Sequence, residues 1–187
     1  VVPIVFTDYF MDYEPESCFV AEVGGVVIGY LVATKDVRRY YGVFWRKIIP
    51  RLILRFAWKI LTFQYRKKRS YMTLWWLLAR SWREIPRVQM DRYPARLHMN
   101  VEAGYRIGVG TKLGCAIINH FREAGVQGVH GIFAEPAGDP RMSRWLQRRL
   151  GFKETAQSKL SVWGNMTGHR WVFKLAVLDL SVSGRTK

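Results

Sequence analysis

The spacing of apolar and polar residues predicts three strands in the first part of the chain. Two apolar runs, Cys18 to Glu22 and Val26 to Thr34, flank a turn in which Gly24 and Gly25 can both adopt positive φ, a pattern typical of a hairpin. A third strand is predicted over Ala95 to Val101, where apolar and polar residues alternate. A long segment of different composition separates the hairpin from this third strand.

The rest of the chain alternates between helices and strands. Leu113, Ile117 and Phe121 recur every four residues, which predicts a helix from Gly108 to Glu123 with one apolar face. The later elements are a strand over Val126 to Ala134 and a helix that starts at Pro140, with Asp139 as its N-cap, and stops at Gly151. A hairpin of Thr155 to Val162 with Arg170 to Val177 follows, with its turn around Gly164-Asn165 and Gly168. This order predicts one α/β domain over residues 1–187, built on a mixed sheet.

Cysteine usage and hydropathy exclude several classes of protein. Cys18 and Cys115 lie far apart and outside any CxxC pair, which disfavours a disulfide scaffold and a zinc site. We therefore expect no metal and a reducing, cytoplasmic setting. No window of about 20 residues is free of charge, so a membrane-spanning helix is not expected.

The positive charge of the chain is concentrated in one segment. The net charge is +16, and the residues from Val37 to Arg83 contain 13 Lys or Arg and no Asp or Glu. The same segment holds 12 of the 27 aromatic residues. Because the rest of the chain is nearly balanced in charge, the pattern predicts a basic insertion over about residues 37–92 of an otherwise ordinary domain.

The basic insertion has helical periodicity. Lys47, Arg51, Arg55 and Lys59 repeat every four residues with apolar residues between them, and a second helix is predicted over Tyr71 to Trp82. A helical hairpin with a basic face has three interpretations: a solvated surface, a lid that attracts an anionic acceptor or docks on an anionic membrane surface, or a nucleic-acid interface. The last is least favoured because no RNA-recognition or helix-turn-helix motif is present.

A glycine-rich turn follows the third strand and opens the first long helix. Its sequence, Glu102 to Gly114, is EAGYRIGVGTKLG. Amides at a helix N-terminus bind anions, and glycine lets the backbone approach a phosphate closely. The turn matches neither the GxxxxGK[ST] nor the GxGxxG motif. The alternative interpretation is structural: a turn that requires positive φ, followed by a close contact between the helix and a strand.

The glycine turn resembles the signature [QR]-x-x-G-x-[GA] of GCN5-related N-acetyltransferases (GNAT), here Tyr105-Arg106-Ile107-Gly108-Val109-Gly110. The sequence RRLGF, Arg148 to Phe152, resembles the family's usual end of the fourth helix. A subset of the family carries a similar basic insertion before the fourth strand. The resemblance implies a mostly antiparallel sheet flanked by helices and acetyl-CoA as a substrate. The residues implied to bind it are Met99, Val101, Arg106, Ile107, Gly108, Val109, Gly110 and Thr111.

The resemblance also implies where acetyl transfer would occur. The family's splayed fourth strand corresponds to residues from His98 to Val101, where His98 and Asn100 share one face. His98 is a candidate base, either directly or through water, or else a hydrogen-bonded residue that shapes the pocket. Glu102 is the second candidate base. Gln147 occupies a position where the family often has a tyrosine as general acid, and an amide cannot serve as that acid.

Two functions follow from these observations. The first is an acyl-CoA-dependent N-acyltransferase that transfers acetyl from acetyl-CoA to an amine of unknown identity. The second is a non-catalytic module of the same fold, whose basic hairpin binds a membrane surface or an anionic partner. The first is favoured by the glycine pair and the polar third strand, the second by Gln147. Either would be cytoplasmic or peripheral to a membrane.

Overall fold

The computed structural model describes residues 9–51, 53–54, 58, 73, 75–76 and 79–181. Its strands are β1 (Cys18–Val23), β2 (Val26–Thr34), β3 (Ala95–Val101), β4 (Gly128–Pro136), β5 (Lys153–Lys159) and β6 (Trp171–Asp179). Five of its α-helices are α1 (Val37–Val43), α2 (Ser81–Glu84), α3 (Arg106–Glu123), α4 (Arg141–Leu150) and α5 (Ser161–Thr167). Shorter turns of helix cover Pro15–Ser17, Phe44–Ile48 (a π-helical turn) and Ala103–Tyr105.

The six strands form one mixed sheet in the order β1-β2-β3-β4-β6-β5. All neighbours are antiparallel except β3 and β4, which are parallel. The predicted hairpin turn is confirmed, because Gly24 and Gly25 have φ of 58° and 80°. Strand β3 has the predicted bounds.

The parallel strands β3 and β4 separate soon after they begin. They pair only at Ala95 with Val129 and at Arg96 with His130. On its other side, β3 stays paired with β2 as far as Val101, opposite Gly29. The C-terminal half of β3 therefore presents to β4 a backbone edge that has no ladder partner within the described sheet.

Each face of the sheet is covered by a separate hydrophobic core. Helices α3 and α4 pack on one face, where the buried residues include Leu31, Ile117, Phe121 and Leu150. An N-terminal helical segment, residues 9–13, and the start of the insertion pack on the opposite face, against Val32 of β2. The other buried residues of this core are Tyr9, Phe10, Val37, Tyr40 and Ile48.

Both ends of the insertion are fixed to the sheet. At its start, Asp36 caps α1 by accepting hydrogen bonds from the amides of Arg38 and Arg39 at 2.8 and 3.3 Å. The amide of Val37 donates to the carbonyl of Pro94 at 2.8 Å, and Arg38 pairs with Asp91 at 2.6 Å. The insertion therefore leaves and rejoins the domain at one place, between the paired strands β2 and β3.

The middle of the insertion is described in part. The described residues 49–51, 53–54, 58, 73, 75–76 and 79 are helical. Arg55 and Lys59 of the predicted basic ladder lie outside the described residues. The π-helical turn at Phe44–Ile48 was not predicted. The second predicted helix is interrupted by a turn at Arg80, after which the short helix α2 begins.

Two sequence predictions about the C-terminal part are wrong. The strand expected from Thr155 to Val162 ends at Lys159, and helix α5 stands where the hairpin turn was expected. The carboxylate of Glu84, from the insertion, accepts the amide and hydroxyl of Ser161 at 2.8 and 2.5 Å and so stabilises the start of α5. A local pattern could not reveal this contact.

Helix α4 begins differently from the prediction. Asp139 was expected to cap it, but Pro140 occupies the cap position and Asp139 pairs with the side chain of Arg141. The buried carboxylate of Glu135 instead accepts the first amides of the helix, those of Met142 and Ser143, at 3.2 and 3.3 Å. The predicted end is confirmed, since Gly151 adopts φ of 75°.

Candidate active site

The glycine turn joins the separated end of β3 to the N-terminus of α3. The amide of Glu102 donates to Ile28 at 2.9 Å and that of Tyr105 to Glu102 at 3.0 Å, which holds the turn at the end of the strand. Helix α3 then begins at Arg106, and the Tyr105 side chain makes no capping hydrogen bond. The first turn of α3 thus carries amides that the helix itself does not satisfy.

The glycines of the turn have different roles. Gly108 has φ of 84°, and a Cβ placed on it would have no atom within 4 Å. A Cβ on Gly110 would lie 3.2 Å from the Trp145 ring, and one on Gly114 would lie 2.5 Å from Leu150. Gly108 therefore faces open space at the helix N-terminus, whereas Gly110 and Gly114 allow α3 to approach α4. The structural interpretation of the turn therefore applies to Gly110 and Gly114, and the anion-binding interpretation stays a prediction for Gly108.

The other predicted acetyl-CoA residues lie around this helix start. Met99, Val101 and Val109 are half-buried and pack against the α3 core with their side chains. The Thr111 hydroxyl accepts a hydrogen bond from Nε1 of Trp145 at 3.3 Å. Arg106 and Ile107 form the first turn with their backbone, and their side chains lie outside the described part of the structure.

His98 and Asn100 point to the opposite face of the sheet. They stand across from Val32 and Tyr30 of β2, and the rings of His98 and Tyr30 are 6.3 Å apart. His98 keeps part of its surface exposed, but desolvation by the surrounding protein lowers its pKa below the ordinary value, and the positive charge of Arg96 adds to this effect. His98 is therefore largely neutral at pH 7 and able to accept a proton.

The remaining candidates are exposed. Glu102 lies just past the end of β3, beside the helix start, with an exposed side chain. Gln147 is exposed on α4, and its backbone carbonyl accepts the amide of Gly151 at 3.2 Å. The structure thus places Glu102 beside the glycine turn. His98 lies earlier on β3, on the face of the sheet that carries the insertion.

The other histidines have structural surroundings. His130 is 2% exposed, and its Nδ1 lies 2.9 Å from the carbonyl of Tyr93. Burial lowers the pKa of His130 to about 4, so the ring is neutral at physiological pH. His120 contacts the hydroxyl of Ser17 at 3.2 Å, and His169 is exposed. Within the described residues, no three His, Cys, Asp or Glu side chains form a group able to hold a metal ion.

Sequence analysis missed a buried ionic network at the base of α4. Nζ of Lys174 lies 3.0 Å from Glu135, 2.9 Å from Glu154 and 3.0 Å from the hydroxyl of Ser143. Burial would lower the pKa of Lys174, but the hydrogen bonds and charges of Glu154 and Glu135 outweigh it and raise the pKa. A lysine in the middle of the apolar run that forms β6 was the only available signal. The network fixes the orientation of α4, whose Trp145 packs beside Gly110.

The insertion is attached by a second polar contact. Glu84 accepts a hydrogen bond from Nε1 of Trp76 at 2.7 Å in addition to those from Ser161. Burial would raise the pKa of Glu84, but these hydrogen bonds outweigh it and lower the pKa. The ring of Trp76 lies 6.1 Å from that of Phe173 on β6. Because Phe173 alternates with Lys174, it lies on the face opposite α4, the same face as His98.

The chain resembles known proteins in its fold. No family model and no curated protein matches it. SsHAT superposes with a TM-score of 0.58 at 20% identity, over 95% of this chain and 79% of SsHAT. The putative acetyltransferase yncA from Salmonella typhimurium, solved with acetyl-CoA, gives a TM-score of 0.49 at 17% identity, over 91% and 68%. Polyamine N-acetyltransferase from Drosophila melanogaster gives 0.47 at 21% identity, over 92% and 79%.

The likeness to SsHAT shows a shared fold. It confirms the predicted architecture, a mixed, mostly antiparallel, GNAT-like sheet flanked by helices. Membership of the GNAT family and of its subset with a long basic insertion stays a prediction, as do the roles of the individual site residues.

Proposed function

We propose that the chain is an acyl-CoA-dependent N-acyltransferase that transfers acetyl from acetyl-CoA to an amine, within a single domain over residues 1–187. The observation that carries this proposal is the uncapped N-terminus of α3, open at Gly108 and adjoining the unpaired edge of β3. An anion-binding helix end beside a free strand edge is the arrangement that a pyrophosphate and a neighbouring thioester require.

The glycine turn would hold the cofactor's pyrophosphate. The helix leaves the amides of Arg106, Ile107 and Gly108 without intrahelical partners, and its partial positive charge favours an anion there. Val109, Gly110 and Thr111, whose amides continue the helix, would line the next turn of the same site. Residues Met99 and Val101 would contribute through their backbone, because their side chains are committed to the core. Amides on the unpaired edge of β3 would polarise the thioester carbonyl.

His98 is the proposed base for the acceptor amine. An acceptor is protonated in water and must lose its proton before it attacks the thioester. The lowered pKa keeps His98 neutral and competent to accept that proton, directly or through water. Asn100 shares its face and would position the acceptor, while Glu102 is the alternative base at the strand end.

The side chain that would protonate the leaving thiolate is a tyrosine in the resemblance, and Gln147 occupies that position here. The exposed amide of Gln147 can donate a hydrogen bond but cannot deliver a proton as an acid. Protonation would then come from solvent, which is accessible at this side of α4. A slower reaction is expected, since a positioned acid contributes a factor of about 10²–10⁴.

Calorimetry with acetyl-CoA and with free CoA tests cofactor binding, and release of free thiol in the presence of a panel of primary amines tests transfer. Binding of both ligands together with amine-dependent thiol release supports the enzyme. Binding without turnover on any amine would favour the non-catalytic module of the same fold. Absence of binding would remove the cofactor assignment.

A further inference from the structure

The described part of the insertion exposes large apolar side chains to an unusual degree. Leu54 is 72% exposed, Trp45 64% and Ile53 63%, and these residues are close together in sequence. Trp58, Trp75 and Trp82 are exposed to between 59% and 67%. Four of the chain's eight tryptophans therefore face outward from one segment. We call the six residues Trp45, Ile53, Leu54, Trp58, Trp75 and Trp82 the apolar patch.

Cations accompany the apolar patch. The guanidinium of Arg83 lies 4.4 Å from the ring centre of Trp82, and that of Arg80 lies 5.7 Å from that of Trp75. Arg46 follows Trp45 directly, and Arg51 precedes Leu54 by one helical turn; both side chains are exposed. No Asp or Glu occurs between Val37 and Arg83 to neutralise these charges.

The attachment of the insertion near its C-terminal end leaves Trp75 facing solvent. Trp76 packs toward the sheet through Glu84 and Phe173, whereas its neighbour Trp75 is 61% exposed. Of these two consecutive tryptophans, Trp76 therefore contacts the sheet and Trp75 faces the solvent. The apolar patch is exposed although the insertion is fixed at both ends.

We propose that the apolar patch docks the protein on an anionic lipid bilayer. Tryptophan and arginine both favour the headgroup region, because there the apolar part of the side chain contacts the acyl region while its polar or charged end stays hydrated. Ile53 and Leu54 would enter the acyl boundary beneath them. Within the described residues, no helix has the length and hydropathy that a membrane span requires.

Other occupants suit this surface less well. Single-stranded nucleic acid would use the tryptophans and cations but leave Ile53 and Leu54, two of its most exposed residues, without a role, because aliphatic side chains offer no stacking face. A second copy of the chain would bring two acid-free basic segments together, which like charge opposes. An anionic bilayer satisfies the aliphatic, aromatic and cationic side chains together.

Cosedimentation of the full chain with vesicles tests the proposal without CoA or an amine, so its outcome is independent of the acetyltransferase assignment. Vesicles of phosphatidylcholine with phosphatidylserine should bind the protein, and vesicles of phosphatidylcholine alone should not. At about 1 M salt, where the screening length falls to about 3 Å, binding should weaken but persist in part because the apolar side chains are inserted. Tryptophan emission should shift to the blue on binding.

Two pairs of variants separate the apolar and charged contributions. Ile53→Ser with Leu54→Ser should weaken binding to the anionic vesicles by about tenfold or more, since each buried aliphatic side chain contributes substantially to partitioning. The control Trp163→Ala, at a 44% exposed tryptophan on α5, should bind as the parent does. Arg46→Glu with Arg51→Glu should weaken binding severely, whereas Arg148→Glu with Arg149→Glu, on the exposed side of α4, should leave most of it.

Circular dichroism and thermal unfolding should show that each variant keeps the parent's fold. If the serine variant binds as well as the parent while the Arg46→Glu, Arg51→Glu variant does not, capture is purely electrostatic and the proposal is overturned. Binding to single-stranded RNA in preference to anionic vesicles would overturn it as well, and so would equal binding to neutral and anionic vesicles.

Discussion

Replacing Gly108 by alanine separates the anion site from the fold. The side chain of alanine at φ of 84° costs about 1–2 kcal/mol, because its Cβ approaches the following carbonyl oxygen. Apart from the adjoining backbone of the helix, no atom lies within 4 Å of that Cβ, so no clash with the rest of the protein is added. For a chain of this size the expected fall in Tm is about 2–8 °C. The strain is relieved by rotating the local backbone, which turns an amide away from the proposed pyrophosphate.

The expected effect on cofactor binding is larger than the effect on the fold. A hydrogen bond to a charged group contributes about 1.5–3 kcal/mol, so loss of one amide contact should raise the Kd for CoA by about 10- to 150-fold. Isothermal titration calorimetry with CoA at a temperature well below Tm measures this directly. Circular dichroism at the same temperature verifies that the variant is folded.

Gly114→Ala provides the matched control in the same helix. Its Cβ would lie 2.5 Å from Leu150, and overpacking of this kind costs about 1–3 kcal/mol, offset by about 1 kcal/mol of better helix propensity. Stability should fall by a similar amount, but CoA affinity should stay within about twofold of the parent, within the scatter of such contributions. If Gly108→Ala binds CoA normally, or if Gly114→Ala loses affinity equally, the anion site does not lie at Gly108. Gly110 is unsuitable for this test, because a bulky residue there would collide with Trp145 and disturb the fold.

The remaining predictions concern catalysis and the attachment of the insertion. His98→Ala should lower turnover by about 10²–10⁴ with nearly unchanged CoA affinity, measured by thiol release, whereas a loss in Glu102→Ala alone would transfer the role of base to Glu102. Because the pKa of His98 is lowered, the rate should rise with pH through a midpoint below the ordinary histidine value of about 6.5; a midpoint at or above that value contradicts the assignment. Gln147→Tyr should raise the rate if thiolate protonation is limiting, and an unchanged rate means that solvent already supplies the proton. Glu84→Gln should destabilise the protein in urea at pH 7; since the folded pKa of Glu84 is depressed, this difference should shrink as pH falls below the unfolded value of about 4.3, and a pH-independent difference would refute an ionic contribution.

Local patterns were sufficient for the elements that local chemistry specifies. Strand β3 has its predicted bounds because alternation identifies a strand with two different faces, and Gly24-Gly25 forms the predicted turn because few other residues adopt such φ values. Helix α1 begins at Val37, where the acid-free run of the sequence begins. Asp36, the last acidic residue before it, is the residue that caps α1.

Contacts between distant residues were beyond the reach of those patterns. Helix α5 depends on Glu84, which is far away in sequence, and the start of α4 depends on Glu135 instead of the adjacent Asp139. The division of roles among the glycines depends on the approach of Trp145 and Leu150 from α4. A glycine spacing alone indicates that space is needed and leaves open whether a ligand or a helix fills it.

The two cores on either side of the sheet differ in how far apart their residues lie along the chain. The core beneath the insertion joins Tyr9, Val32, Tyr40 and Ile48, all within one short N-terminal stretch. The core beneath α3 and α4 joins Leu31 to residues as distant as Leu180. Closing a short loop loses less entropy than closing a long one, so the N-terminal core can assemble early in folding. A face of β2 would then be covered before β3 adds to its edge, and the insertion's first helix would serve as a folding nucleus as well as a support for its exposed surface.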